Sequence, residues 1–299
     1  MGGRSVRAGW TPGMTAGWTA GVVTLLLLAG CSVPSGHEAR SAGASDAVPS
    51  GAAASTGATA ATAGDSPTRA PRLPADEDVD YQLGGAAEPD DSVGIVVRDR
   101  TEDPAGLYDV CYVNGFQTQP DQRRFWRQRW RLVLTDADGD PVVDEGWGEW
   151  LLDIRTPRRR ARLARIMAGW TQGCADDGYE AVEYDNLDSF TRSRGLLSPR
   201  DARAYARLLA RGAHAAGLRA AQKNRAGWDG TSVGLDLAVA EECGRYRECG
   251  SYRRHYGRQV LMVEYRRRDF RRTCRTQGAA VPVVLRDRAL SVDGVRAYC

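Results

Sequence analysis

The stretch 180-EAVEYDNLDSF-190 combines the apolar pattern of a buried strand with four acids within nine residues. Residues 179–184 are short and rich in apolar side chains, as expected of a strand that is covered on both faces. Because side chains alternate along a strand, Glu183 and Asp185 face the same side as Ala181. This pattern predicts a strand that carries carboxylates at its C-terminal end.

Similar strand-like runs recur through the C-terminal part of the chain. We expect nine strands, at residues 80–83, 93–97, 107–113, 150–154, 179–184, 218–223, 235–240, 260–265 and 281–285. Helical patterns lie between several of them, at residues 157–172, 199–216 and 266–277. This alternation predicts a parallel α/β domain. No strand is followed by the Gly-rich phosphate turn of an open doubly wound sheet, so we predict a (β/α)8 TIM-like barrel.

The predicted barrel has an irregular part near its N-terminus. A barrel of this type has eight strands, so one of the nine candidates is peripheral or not a strand. The segment between Val97 and Leu107 is too short for a crossover helix. We therefore expect the irregular region near this segment.

Several expected strands end in or next to an acid, and another ends in the only lysine of the chain. The acids are Asp99, Asp153, Glu183 with Asp185, Glu241 with Glu242, and Glu264, and Lys223 is followed by Asn224. The C-terminal ends of barrel strands gather at one face, where enzymes of this fold have their active sites. The pattern predicts an acidic cleft, which suits carbohydrate hydroxyls and still better the ammonium groups of amino sugars. Asp188 and Glu248 are expected to be ordinary loop or surface acids, and Glu180 to face outward.

Paired carboxylates are the chemistry of glycoside hydrolysis. One protonates the leaving oxygen, and the other attacks the anomeric carbon or activates water. Crowded carboxylates shift one another's pKa values apart, so that one can stay protonated near neutral pH. The net charge of +3 is too small to indicate a nucleic-acid-binding protein, and the three scattered histidines argue against a His-rich metal site. We expect no cofactor and no metal.

The N-terminus has the features of an export signal. A basic start precedes 20-AGVVTLLLLAG-30, an apolar core that is too short to span a bilayer, and Cys31 follows at once. Residues 28–31 resemble the lipobox of bacterial lipoproteins, in which the signal, here residues 1–30, is removed and the cysteine is acylated. An ordinary secretory signal with an incidental cysteine is the alternative. We expect an exported lipoprotein that faces the extracellular side and contacts the membrane only through its lipid anchor.

The next segment, residues 31–77, is expected to be Cys31 followed by a disordered linker. It is dominated by Ala, Gly, Ser, Thr and Pro and can bury too little apolar surface to fold. As a random coil it would reach on the order of 40 Å. The linker would hold the catalytic domain, residues 78–299, away from the membrane among wall or matrix polymers.

The chain has seven cysteines, an odd number for an exported protein. If Cys31 carries the lipid, six remain, enough for three disulfides in an oxidising compartment. We expect Cys243–Cys249, because the loop between them is short, and then Cys111–Cys174 and Cys274–Cys299. A zinc cluster is the rival interpretation, but the CxxC spacing typical of such sites is missing.

Seven short motifs follow one another along roughly residues 80–290. They are YQLGG (81–85), CYVN (111–114), WLLDIR (150–155), VEYDNLDS (182–189), QKN (222–224), AVAEECGRYRECG (238–250) and VEY (263–265). Together they resemble the motifs of glycoside hydrolase family 114, the endo-α-1,4-polygalactosaminidase family. The E-x-D-N-x-D and A-E-E-C…E-C runs carry most of the resemblance, which implies a (β/α)8 barrel.

The resemblance also implies roles for individual residues. It makes Asp185, in the D-N pair, and Glu241, two residues before a cysteine, the catalytic pair. With Asp185 as nucleophile and Glu241 as general acid/base, the mechanism would be retaining. The residues expected to bind substrate are Asp153, Asn186, Lys223, Asn224 and Glu264. Tyr184, where many members have Pro, and CYVNGFQ, in place of the commoner C-Y-x-S-A-G-S, depart from the family and leave subsite preference open.

The expected function is that of a surface-anchored, monomeric endo-hydrolase. Its partner would be an extracellular amino-sugar polysaccharide with α-1,4-linked galactosamine, and no nucleic acid. A non-catalytic carbohydrate-binding lipoprotein on the same barrel is one alternative. A hydrolase of a different extracellular glycan is another.

Overall fold

The computed structural model of the protein describes residues 70–299. Its strands are β1 (Asp78–Gln82), β2 (Val93–Asp99), β3 (Tyr108–Val113), β4 (Val143–Asp144), β5 (Glu149–Trp150), β6 (Ala181–Tyr184), β7 (Arg219–Lys223), β8 (Leu237–Glu241), β9 (Val260–Glu264), β10 (Val283–Arg286) and β11 (Arg296–Tyr298). Its α-helices are α1 (Arg123–Arg127), α2 (Pro157–Asp177), α3 (Pro199–Ala215), α4 (Cys243–Tyr246), α5 (Cys249–Tyr256) and α6 (Arg267–Thr273). A π-helical turn, Cys274–Gly278, continues α6. The predicted signal peptide, residues 1–30, and residues 31–69, which comprise Cys31 and most of the predicted linker, lie outside the described residues.

Eight parallel strands form the wall of the barrel. They lie side by side in the order β1-β2-β3-β6-β7-β8-β9-β10, and β11 pairs antiparallel with β10. Helices α2 and α3 separate the central strands in sequence, as the right-handed crossovers of such a fold require. The predicted (β/α)8 TIM-like barrel is therefore confirmed.

Buried charges join β1 and β10, the two ends of the row of parallel strands. Arg286 Nη1 donates to Asp80 Oδ1 at 2.8 Å, and Arg296 Nε of β11 donates to Asp80 Oδ2 at 2.9 Å. Arg286 also donates to the carbonyl oxygen of Tyr81. Asp80 and Arg286 are both fully buried. Removal of Asp80 would leave the buried Arg286 without its paired carboxylate, which typically costs about 3–5 kcal/mol, whereas Asp80 keeps Arg296 if Arg286 is removed.

The N-terminal third of the barrel is irregular, as predicted. The connections from β1 to β2 and from β2 to β3 contain no helix in the described chain, although both strand pairs are parallel. Of the expected strand at 150–154, only β5 forms, and it pairs with β4 in a separate ribbon outside the barrel. This ninth candidate is the peripheral one, because residues 114–156 form a long excursion between β3 and α2.

Local signals in the sequence fix the two long helices that cover the barrel. The Thr156 side chain caps α2 by accepting a hydrogen bond from the backbone of Arg159, and Pro157 occupies the first turn. Helix α3 begins with a capping box between Ser198 and Asp201. These caps place the helices so that their apolar faces pack against the outer side of the strands.

Side-chain alternation along the strands separates two apolar cores. The inner core fills the barrel with alternate residues of each strand, among them Ala181, Ala221 and Val239. The intervening residues, such as Val182, face the outer core beneath the helices. The predicted orientation of Ala181 toward one side and Val182 toward the other is confirmed, and it directs the next inner residue of β6, Glu183, into the barrel.

Three disulfides link the elements, with the connectivity expected from the sequence. Cys111 of β3 is bonded to Cys174 of α2, and Cys243 is bonded to Cys249 only six positions away. The third pairs Cys274 with Cys299. The Cys243–Cys249 disulfide closes the loop that follows β8, and Glu241 is the last residue of that strand.

The chain contacts the barrel before β1 begins. Ala70 N donates to the Gly217 carbonyl oxygen at 2.8 Å, and Leu73 is buried with its amide bonded to Gln259. Ordered contacts therefore start within residues 70–77, a segment that the sequence assigned to the linker. No helix in the described part is long and apolar enough to cross a membrane.

Candidate active site

The C-terminal ends of the barrel strands border a cleft of about 910 Å³. Nine acids and four basic residues line it, so the cleft is acidic, as predicted. The acids are Asp99, Asp121, Asp144, Glu149, Asp185, Asp188, Glu241, Glu242 and Glu248. Two aromatic side chains on its rim, Trp147 and Tyr246, are 70% and 60% exposed, an arrangement suited to stacking on sugar rings.

Lys223, at the end of β7, is the cation at the centre of the cleft floor. Its Nζ lies 2.8 Å from Glu183 Oε1, 3.3 Å from Glu241 Oε2 and 3.5 Å from Asp185 Oδ2. Nζ also donates to the Tyr81 hydroxyl at 2.8 Å. Burial alone would lower the pKa of Lys223, but the surrounding carboxylates raise it well above its usual value. Lys223 therefore stays charged although its side chain is only 3% exposed.

Asp185 and Glu241 both approach this lysine. Their nearest Lys223 contacts are 3.5 Å and 3.3 Å, so Asp185 Oδ2 and Glu241 Oε2 are no further apart than the sum, 6.8 Å. Tyr112 donates its hydroxyl to Asp185 Oδ2 at 3.0 Å. Two carboxylates at this separation can act on the same glycosidic bond.

Glu241 is held as an anion by its neighbours. Burial raises the pKa of Glu241, but the Lys223 charge and hydrogen bonds from Tyr265 and Asn224 outweigh it and hold the pKa below its usual value. Asn224 Nδ2 donates to Glu241 Oε2 at 3.0 Å, and the Tyr265 hydroxyl donates to Oε1. Asn224 Oδ1 also accepts from the Glu241 amide, so one asparagine fixes both the backbone and the carboxylate.

Residues within two positions of the ends of β6, β7 and β8 adopt left-handed backbone conformations. Asn186, Asn224 and Glu242 have φ values of 63°, 52° and 53°. Asparagine tolerates this region, whereas glutamate does so at a cost of about 1 kcal/mol or more. Such conformations cluster at functional sites, where they direct side chains that regular strands could not direct.

A sequence model of glycoside hydrolase family GH114 matches residues 58–299. The chain belongs to glycoside hydrolase family 114. Membership makes it a glycoside hydrolase, as predicted from the motifs. No curated protein sequence gives a significant match to the chain.

Two solved structures are similar to this chain. The galactosamine complex of Aspergillus fumigatus Ega3 superposes with a TM-score of 0.61 at 20% identity, covering 77% of this chain and 96% of that one. The glycoside hydrolase domain of PelA from Pseudomonas aeruginosa gives 0.49 at 18% identity, covering 73% and 97%. The first of these likenesses supports the barrel architecture of this family 114 chain.

The expected site residues fall into two groups in this family 114 barrel. Asp185, Asn186, Lys223, Asn224 and Glu241 all line the cleft. Asp153 does not, because its buried carboxylate pairs with Arg155 at 2.7 Å and Arg159 at 3.1 Å outside the barrel wall.

Glu264 also lies outside the cleft, contrary to the expectation from the sequence. Its side chain points to the outer side of β9, where Oε1 accepts from Gly244 N at 2.6 Å and Thr273 Oγ1 at 3.0 Å. The next residue, Tyr265, is the one that faces the cleft and contacts Glu241. Glu264 thus supports the loop after β8 from outside the cleft.

Four further acids were assigned positions from the sequence, and the structure places two of them differently. Asp188 and Glu248 line the cleft, although they were expected to be ordinary loop or surface acids. Glu180 faces away from it and accepts from the Asp109 amide at 2.7 Å. Asp99 reaches the cleft, where it accepts from Gln119 Nε2 at 2.8 Å.

Glu149 is a cleft residue that the sequence pattern missed. It belongs to the β4–β5 ribbon and not to a barrel strand, so the rule of acids at strand ends did not select it. Its Oε2 accepts from Asn114 Nδ2 at 2.9 Å. Burial raises the pKa of Glu149 to about 7, with the charge of Asp185 adding to the shift and the Asn114 hydrogen bond opposing it.

Glu183 lies beneath the cleft and is buried completely. Burial raises its pKa to about 7, against the opposing charge of Lys223. Its Oε1 accepts from both Lys223 and the Tyr81 hydroxyl, each at 2.8 Å. Glu183 therefore contacts the lysine from below, while Asp185 and Glu241 contact it from the cleft.

A metal-binding role finds little support in the described residues. One grouping of potential ligands, Cys243, Cys249 and Glu264, lies close together. The two cysteines are joined in a disulfide, so their sulfurs are not available as thiolate ligands.

Proposed function

We propose that the protein is an endo-acting hydrolase of an extracellular polysaccharide containing α-1,4-linked galactosamine. One observation carries the proposal: Asp185 and Glu241 approach a single buried lysine in an acidic cleft with aromatic side chains on its rim. The acidic lining would attract a cationic polymer. The named relative in complex with galactosamine has the same fold, which supports this substrate class.

The proposed mechanism is a double displacement. Glu241, protonated, gives its proton to the glycosidic oxygen while Asp185 attacks the anomeric carbon and forms a covalent glycosyl-enzyme. The shortened chain leaves, and Glu241 then removes a proton from water, which releases the sugar from Asp185 with retained configuration. The upper limit of 6.8 Å between the two oxygens includes the separation of about 5–5.5 Å that retaining enzymes use and only the lowest part of the range of about 6.5–9.5 Å of inverting enzymes.

The electrostatics of the free cleft favour the opposite allocation of these two roles. The pKa of Glu241 is lowered by Lys223, Tyr265 and Asn224 despite burial, and a low pKa suits a nucleophile better than an acid. Azide rescue of alanine variants separates the two cases. Rescue of the nucleophile variant yields a glycosyl azide of inverted configuration, and rescue of the acid/base variant yields one of retained configuration.

The test of the activity is hydrolysis of a galactosamine polymer by the purified protein, followed by mass spectrometry of the products. Asp185→Asn and Glu241→Gln are each expected to lower kcat by about 10²- to 10⁴-fold. Asp138→Asn, an exposed acid outside the cleft, serves as the matched control. Full activity in either cleft variant would refute the assignment of that residue.

Two alternatives give different results in the same assay. A carbohydrate-binding protein without activity would bind oligomers but release no shorter chains. A hydrolase of another glycan would cleave acetylated or neutral oligomers in preference to deacetylated ones.

Surface anchoring forms a separate part of the proposal. The lipobox-like residues 28–31 and the disulfides of an oxidising compartment support an exported lipoprotein attached through Cys31. Cys31→Ala is expected to abolish labelling with a fatty-acid analogue and the membrane association of the protein. Unchanged labelling in this variant would exclude Cys31 as the lipid site.

A further inference from the structure

Glu149 differs from the other buried acid of the cleft lining in having no cationic partner. Asp144 and Glu149 are directly opposite each other in the β4–β5 ribbon and are 6% and 9% exposed. Asp144 Oδ2 is paired with Arg192 Nε at 2.7 Å. No ion pair to Glu149 occurs among residues 70–299. Arg192 acts on Glu149 only from beyond ion-pair distance and lowers its pKa less than burial raises it, so this buried carboxylate has no ion-pair partner in the described chain.

Neutral amides hold Glu149 in place. Its Oε2 accepts from Asn114 Nδ2 at 2.9 Å and lies 3.5 Å from Asn186 Nδ2. Its Oε1 accepts no hydrogen bond from the described residues and remains accessible to solvent. The carboxylate is therefore oriented by one oxygen and open to the cleft at the other.

Such a group favours a cationic ligand. A buried carboxylate without a counter-ion is costly in its charged form, and burial accordingly raises the pKa of Glu149 to about 7. A cation that enters the cleft would stabilise the ionised form and gain a charge-assisted hydrogen bond. Asp185 and Glu241 already share the charge of Lys223. Asp144 already pairs with Arg192. A bound cation would therefore stabilise these three carboxylates less than it would stabilise Glu149.

We propose that Glu149 is the receptor for the ammonium group of the galactosamine unit that binds beside Asp185. This inference rests on the proposed function. Asn186 connects the two residues: it directly follows Asp185, and its Nδ2 donates to Asn114 Oδ1 at 3.0 Å and approaches Glu149. Binding of the ammonium group would therefore position the sugar relative to the reacting carboxylate. An acetamido group carries no charge and cannot replace it.

The experiment compares two methyl α-glycosides that differ only at C2. Binding of methyl α-galactosaminide and methyl α-galactoside to the purified protein is measured by calorimetry at pH 7. We expect wild type to prefer the amino sugar and Glu149→Gln to lose about 10- to 100-fold of that preference. Glu145→Gln, an exposed acid in the turn of the same ribbon, should behave as wild type.

A kinetic split distinguishes recognition from a general structural defect. In Glu149→Gln, KM for deacetylated oligomers should rise about 10- to 100-fold while kcat stays within a few fold. Kinetics on acetylated oligomers should not change. A fall in kcat for both substrates alike would overturn the proposal.

The outcomes also separate this inference from the proposed function. If wild type cleaves the polymer but Glu149→Gln keeps the preference for the amino sugar, the inference fails and the function stands. If wild type cleaves nothing but prefers the amino sugar, and Glu149→Gln loses that preference, the proposed hydrolase activity fails and the inference stands. Equal binding of both glycosides by wild type would refute the inference.

Discussion

Replacement of the only lysine tests the central electrostatic claim. Lys223→Met keeps an unbranched side chain one atom shorter and removes the charge that lies 2.8–3.5 Å from Glu183, Asp185 and Glu241. Removal of one partner of a buried ion pair typically costs about 3–5 kcal/mol, because the remaining charge is left uncompensated. We therefore expect the free energy of unfolding at pH 8 to fall by about this amount.

The loss should depend on pH with a definite sign. In wild type the pKa of Glu241 is depressed in the folded state, so its contribution to stability is present above the unfolded pKa and is lost as the pH falls through the folded one. Without Lys223, burial raises the pKa of Glu241 and the anion destabilises the fold at high pH. The difference between wild type and variant should be largest near pH 8 and should shrink toward pH 4.

Urea unfolding of both proteins at pH 4, 6 and 8 measures this difference. The second variant, Lys223→Met with Glu183→Gln, removes one of the abandoned carboxylates and should recover part of the loss at pH 8. An equal loss at every pH would show that packing and not charge is responsible. No loss at pH 8 would refute the claim that Lys223 neutralises the cleft floor.

Three further predictions concern the surroundings of this lysine. Tyr265→Phe removes a hydrogen bond to Glu241 and should raise the pKa of that carboxyl, so the limb of the pH–rate profile that belongs to Glu241 should move to higher pH; an unmoved profile would refute this. Replacement of Cys243 and Cys249 by serine should lower stability by about 2 kcal/mol, a value set by the short loop and measured in urea, and should lower kcat through the loop after β8. Because Lys223 is 3% exposed, an amine-reactive ester should label only the N-terminal amine of the native protein and reach Lys223 after unfolding, as read from the intact mass.

The periodicity of the sequence predicted the barrel because each buried strand leaves a direct local signal. Residues 179–184 and 260–265 are short apolar runs, and both form parallel strands of the wall. The run at 150–154 has the same composition, but it packs beside the barrel as β5 and isolated bridges. Composition alone does not distinguish a wall strand from an equally buried segment of an excursion.

The wrong prediction for Glu264 follows from the alternation of side chains along a strand, because a shift of one residue turns a side chain to the other face. Lys223 and Glu241 point into the barrel, where the inner core ends, and they meet as expected. Glu264 is one position out of phase, so its carboxylate lies on the outer side of β9 and Tyr265 takes the place in the cleft. A side-chain direction at a strand end depends on where the strand stops, and the sequence does not fix that residue.

Glu149 brings the energetics of folding and of recognition into opposition. Its folded pKa, about 7, exceeds the ordinary value of 4.5. The ionised form therefore weakens the fold increasingly as the pH rises from the unfolded pKa to the folded one. Glu149→Gln removes this charge and should make the protein more stable at pH 8, by ~3 kcal/mol at most from the size of the shift, and no more stable at pH 4. The same variant should bind the amino sugar less well. Greater stability with weaker recognition is the signature of a charge kept for its ligand, whereas lower stability at pH 8 would mean that the carboxylate serves the fold.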